Sequence, residues 1–140
     1  VTVSDACADG LREIVDRPVS VITNGYDFPE FDKQAVVLDD CFSISHFGSM
    51  PLSRDPEVLW KVLGELCRED AGFEKHLRIK LIGSVDFKVF EHIKDNGLSG
   101  HVEHQPGVPH ATSISLQRQS QVLLLVGNNT GNVKGILTGI

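Results

Sequence analysis

The residues best placed to do chemistry lie in one loop, Gly48-Ser49-Met50-Pro51-Leu52-Ser53-Arg54-Asp55-Pro56. It runs from the end of an apolar strand pattern to the start of a helix pattern. A helix start offers unpaired N–H groups and the positive end of the dipole, so it favours an anion. Arg54 stands directly before that start. A guanidinium there could hold a diphosphate by two parallel hydrogen bonds. The alternative is a solvated Arg54 that pairs with Asp55 or Glu57. Three further segments beyond strand ends carry glycine, at Gly83, Gly107 and Gly127. Glycine lets a phosphate or a ring approach the backbone, although it also simply ends strands. His104 and His110 could line the same mouth or be polar rim residues. Asn128 and Asn129 could hydrogen-bond a sugar or a phosphate, or form a turn.

Sharper signatures are absent. No GxGxxG follows a strand, which argues against a hydride-transfer dinucleotide site, and there is neither a P-loop nor a GxSxG elbow. His101 and His104 are three apart, which puts them on opposite faces of a strand, so no metal site is expected. Cys7, Cys41 and Cys67 are widely spaced and odd in number, and read as reduced thiols packed as small hydrophobes. The net charge of -6 gives no electrostatic reason to expect a nucleic-acid partner. No apolar run reaches the length of a membrane span, and no signal peptide is expected.

Strand-length apolar runs alternate with helix-period segments, the pattern of a parallel sheet flanked by helices. Strands are expected at Val1 to Val3, Val19 to Ile22, Phe42 to Phe47, Leu77 to Ile82, His101 to His104 and Gln121 to Val126. The last is nearly all apolar, as for a strand covered on both faces. A first helix opens at Ser4 or Asp5, turns Ala6, Leu11, Ile14 and Val15 inward, and stops at Pro18. Residues 26 to 41 form an acidic connector. Asp55-Pro56 reads as a cap and first helical position. The following helix shows an inward stripe of Leu59, Val62, Leu63 and Leu66, with Gly72 beyond its end. Asp86 caps a helix that turns Val89, Phe90 and Ile93 inward and stops at Asn96-Gly97. A last helix runs from about His110 to Gln119. The expected fold is a three-layer α/β, Rossmann-like parallel sheet.

Several segments, in order along nearly the whole chain, resemble the C-terminal domain of GT-B glycosyltransferases, above all the retaining family 4. Val21-Ile22-Thr23-Asn24-Gly25-Tyr26-Asp27 with Phe31 is similar to the family's V-I-x-N-G-V-D…F segment. Ser4 resembles the serine that opens the domain. The Gly48 to Arg54 loop resembles the grip on the donor diphosphate, and Leu81-Ile82-Gly83 the next strand end. Residues 102 to 108, with Pro106-Gly107-Val108, resemble the nucleobase segment. Leu116-Gln117 with residues 120 to 125 resembles the helix and strand before the donor-sugar loop. Lys134-Gly135-Ile136-Leu137-Thr138-Gly139 resembles the loop before an F-E-Y-L-type helix.

The resemblance implies the donor-binding half of an enzyme that moves a sugar from a UDP- or GDP-sugar to an acceptor hydroxyl, in cell-surface polysaccharide or glycoconjugate synthesis. It implies donor contacts at Gly48, Ser49, Arg54, Gly83, His104, Gln105, Gly107, Val108, Asn129, Lys134 and Gly135, no cofactor and no obligatory metal. Residues 1–17 would be the interdomain linker and first helix, and 18–140 a partial donor domain cut before its last strand and helices. An N-terminal acceptor domain would then be missing, and the piece alone inactive. A cytoplasmic location is expected, with the full-length enzyme free to associate peripherally with the inner membrane. Two departures stand out. Ser49 occupies the place of a second basic residue, and no acid stands near Lys134-Gly135, where the first of a glutamate pair would fall. A GT-B-like sugar epimerase domain and a non-catalytic α/β binding module are the competing readings.

Overall fold

A computed structural model describes residues 1–25 and 36–127. The chain divides into two compact units. In the first, Ser4 caps helix α1 (Asp5–Arg12) by accepting from the Cys7 amide at 3.2 Å. The helix is shorter than expected. Adjacent β-branched Ile14 and Val15 lose side-chain freedom in a helix and lie beyond its end, and Ile14 is 80% exposed. Ala8 is the residue α1 buries. The two expected N-terminal strands reduce to one parallel bridge, Thr2 to Val21, with the Thr2 amide donating to Ser20 and the Ile22 amide to Thr2.

The second unit holds a four-stranded sheet in the order β3-β2-β1-β4, with every pair parallel. The strands are β1 (Phe42–Phe47), β2 (Leu77–Ile82), β3 (Val102–Gln105) and β4 (Val122–Leu123). Helices α2 (Glu57–Glu69) and α3 (Ala71–His76) join β1 to β2, α4 (Phe87–Asp95) joins β2 to β3, and α5 (His110–Gln119) joins β3 to β4. Along β1, side chains alternate between faces. Ile44 faces a core shared with Leu77, Ile79 and Leu81 of β2, Trp60 and Leu63 of α2, and Val89 and Ile93 of α4. Ser43 and Ser45 face the other way. Ser45 Oγ pairs with Ser120 Oγ at 2.7 Å, and Ser43 accepts from the Gln121 amide at 2.9 Å, where α5 ends. Helices therefore cover both faces, a Rossmann-like three-layer α/β fold.

Several expectations need correction. Asp55 does not cap α2. Pro56 holds the cap position, without a side-chain hydrogen bond, and Asp55 is fully buried. The inward face of α2 is Trp60, Leu63 and Gly64, while Val62 is 43% exposed. Gly72 lies inside a second short helix, because Asp70 accepts from the Gly72 and Phe73 amides and restarts the chain as α3. The β4 ladder spans only two residues, and Val122 and Leu123 are 39% and 41% exposed rather than covered. β3 begins one residue later than expected, at Val102.

Outside the apolar core, Lys80 of β2 bonds Asp39 at 2.7 Å, with both side chains 15% exposed. Burial works to raise the Asp39 carboxyl. The bonds from Lys80 and Ser43 and the Lys80 charge outweigh it and hold the group below the usual range. This contribution to stability is present above the ordinary carboxylate range and is lost as pH falls through the depressed value.

Helices α2 and α4 meet at Gly64. A Cβ there would fall 2.4 Å from the Asn96 carbonyl oxygen, a backbone atom that cannot swing aside. Alanine ordinarily favours a helix, yet Gly64→Ala should destabilise the protein by about 1–3 kcal/mol through overpacking. Urea denaturation measures the sign.

Candidate functional site

The strand order reverses beside β1. Chain progress from β1 runs to β2 and β3 on one side, then returns to β4 on the other. In open parallel sheets ligands bind in the crevice beyond the carboxyl ends of the strands at such a reversal. Gly48 and Ser49 follow β1 at this point. Gly48 has φ of +116°, and nothing lies within 4 Å of the place a Cβ would take. Its backbone thus faces open space, in a conformation that side chains disfavour.

Gly83, expected as a ligand glycine, also has a structural role. Its φ is +131°, and a Cβ would fall 2.0 Å from the Gly48 carbonyl oxygen. The Gly48 amide donates to Ile82 and the Gly83 amide to Gln105, each at 2.8 Å. The carboxyl ends of β1, β2 and β3 are thereby drawn together. His104 joins them: its Nε2–H donates to the Gly83 carbonyl at 3.0 Å, and the ring meets Phe90 edge-on at 5.1 Å. Gly48, Gly83, His104 and Gln105 are thus neighbours. Gly107 and Val108 follow β3 on the loop into α5. Asn129, Lys134 and Gly135 lie outside the described residues.

Arg54 closes a 3-10 turn, Leu52–Arg54, between β1 and α2, and its amide donates to Pro51 at 2.8 Å. The loop is tied upstream, where Met50 bridges Val85: the Met50 amide donates to Ser84 and the Asp86 amide to Met50. Downstream it is tied by Asp55, whose Oδ1 accepts from Trp60 Nε1–H at 2.6 Å and whose Oδ2 bonds His92 Nδ1 on α4.

The Asp55–His92 pair was not foreseen. Its partners are 37 positions apart, and only the fold joins them. The Asp55 hydrogen bond raises the His92 pKa. Partial desolvation opposes this, and the charges of Asp55, Glu57 and Asp95 add to the rise. His92 also lines a cleft of about 340 Å³ between α2 and α4, with Glu57, Val58, Lys61, Asp95 and Asn96. Among the described residues, Asp55, Glu57 and His92 are the group whose ligating atoms could together hold a cation. Both Asp55 oxygens are engaged by Trp60 and His92, so a hydrogen-bonded pair accounts for their closeness.

His46, expected at this strand end, is penultimate in β1 and 5% exposed. Its Nδ1–H donates to the Leu124 carbonyl at 3.0 Å across the reversal, and its buried Nε2 has no partner among the described residues. The three cysteines are free thiols. Burial first, then the charge of Glu74, pushes the Cys67 thiol up, against the smaller opposing charge of Arg68. No described helix is long and apolar enough to cross a membrane.

No protein-family model and no curated protein matches the chain.

Two outcomes test the Asp55 cluster. Trp60→Phe keeps an aromatic ring but removes a donor to a buried carboxylate and leaves a cavity, and should cost at least about 1.5–3 kcal/mol in urea denaturation. The His92 ring should titrate above an ordinary histidine by NMR, and Asp55→Asn should bring it back down. The stability that His92 adds is full below the ordinary histidine pKa and is lost as pH rises through the raised one.

Proposed function

We propose that the chain is the nucleotide-sugar-binding half of a GT-B glycosyltransferase. The observation that carries this reading is the reversal of strand order beside β1, where open parallel sheets bind ligands. There the open Gly48 backbone and the Arg54 loop lie at the same end of the sheet as the 105–108 segment. A diphosphate would lie along Gly48 and Ser49 with Arg54 as its cation. The base would pack on residues 105–108, and the sugar would extend past the end of β4. As the bond to the sugar breaks, negative charge grows on the leaving diphosphate. Arg54 and the first turn of α2 would stabilise that charge as it develops. Glu57 in the same first turn opposes an anion there, so the guanidinium carries most of the attraction. His104 stays within this reading as a support for the Gly83 turn rather than as a ligand.

The test is titration of the intact parent protein and of this chain with UDP-glucose and GDP-mannose, followed by 15N NMR. Shifts should centre on residues 48–54 and 105–108. Arg54→Gln, which removes a charge-assisted bidentate contact, should weaken binding about 10- to 100-fold. Shifts confined to another surface, or no response from the intact parent, would refute the reading in favour of a binding module of another kind.

A further inference from the structure

The loop that holds Arg54 is fixed at two points. Upstream, Met50 is locked into the sheet by its exchange with Ser84 and Asp86. Downstream, Asp55 is locked by Trp60 and His92. Between them, Pro51, Leu52 and Ser53 are exposed and Arg54 is half-buried. The upstream anchor is backbone ladder and does not respond to solution conditions. The downstream anchor is a fully buried carboxylate held partly by an imidazole whose side chain is 31% exposed. Solvent protons therefore reach one end of the loop and not the other.

We propose that Asp55 and His92 form a latch that sets the position of Arg54, so that His92, a positioning residue on α4, tunes affinity for the donor diphosphate. This rests on the donor reading above. The imidazolium holds the Asp55 carboxylate by charge as well as by hydrogen bond. The neutral ring keeps at most the hydrogen bond and leaves a buried negative charge less compensated. The charged groups around His92 are Asp55, Glu57 and Lys61 from the α2 side and Asp95 from its own helix. Three acids against one ammonium favour the charged ring. Closing the latch and placing Arg54 are one event, so donor and proton binding are coupled, and the coupling is reciprocal.

The experiment has two arms. In the first, UDP-glucose affinity of the intact parent protein is measured from pH 5.5 to 8.5; its diphosphate is a diester and keeps constant charge over that range. Affinity should fall about tenfold as pH rises through the NMR titration of His92, the equivalent of one unit of coupling. UDP-glucose should raise the His92 pKa in return. His92→Gln should bind weakly with a flat profile, and Asp55→Asn should behave alike. A wild-type profile independent of His92, or an unmoved His92 pKa at saturating UDP-glucose, overturns the proposal without any variant.

The second arm is amide hydrogen exchange at Arg54 and Asp55, whose N–H groups donate to Pro51 and Leu52. Their protection should drop in His92→Gln while Ile79 and Leu81 in β2 keep theirs. Equal protection in both proteins overturns the latch. If wild-type protein binds no nucleotide sugar, the donor reading fails, and exchange still decides whether the latch exists.

Discussion

A carboxylate taken wholly out of water must be met by donors, and Asp55 is such a group. Meeting it fixes the relation of three elements: the loop after β1, helix α2 through Trp60, and helix α4 through His92. The helices could otherwise slide on the flat apolar side of β1 and β2, since apolar contact alone is non-directional. A buried charge with two named partners allows little sliding. The same register lets Gly64 pass under the Asn96 carbonyl. Where a helix cap was expected, the chain places a keystone for the whole helical layer.

The two faces of the sheet differ in kind. Toward α2 and α4, β1 and β2 present Ile44, Leu77, Ile79 and Leu81, all nearly free of water. Toward α5 they present Ser43, Ser45, Arg78 and Lys80, and α5 itself buries no residue. Polar pairing rather than apolar area organises that side: Ser45 with Ser120, Ser43 with Gln121, Lys80 with Asp39. The first face has a strong core and the second a hydrogen-bonded one.

Local pattern made much of the sheet readable in advance. Strands at 42–47 and 77–82 and the helix at 110–119 follow from short apolar runs and turn residues, which act over a few positions. The glycine-ended strands also placed Gly48 and Gly83 together at one end of the sheet. Contacts set by the fold were not readable. On α2 two stripes sharing Leu63 compete, one with Leu59, Val62 and Leu66, the other with Trp60 and Gly64. Periodicity cannot choose between them. The choice falls to Trp60, because that stripe alone offers an N–H to Asp55 and a flat place for Asn96. Asp55 beside Pro56 carries the signal of a cap, and its true partner lies on another helix. Of the residues expected at the site, Gly48 and the Arg54 loop follow β1, and Gly83 and His104 also hold the strand ends together.

The indole at position 60 has a further use. It is the only tryptophan in the chain, fully buried, with its N–H on the keystone carboxylate. Its fluorescence therefore reports on one place alone. Any event that moves Asp55, whether an anion in the loop or a change on α4, alters the electric field along the indole and shifts its emission. The protein carries its own label-free optical gauge at the joint between loop and helices.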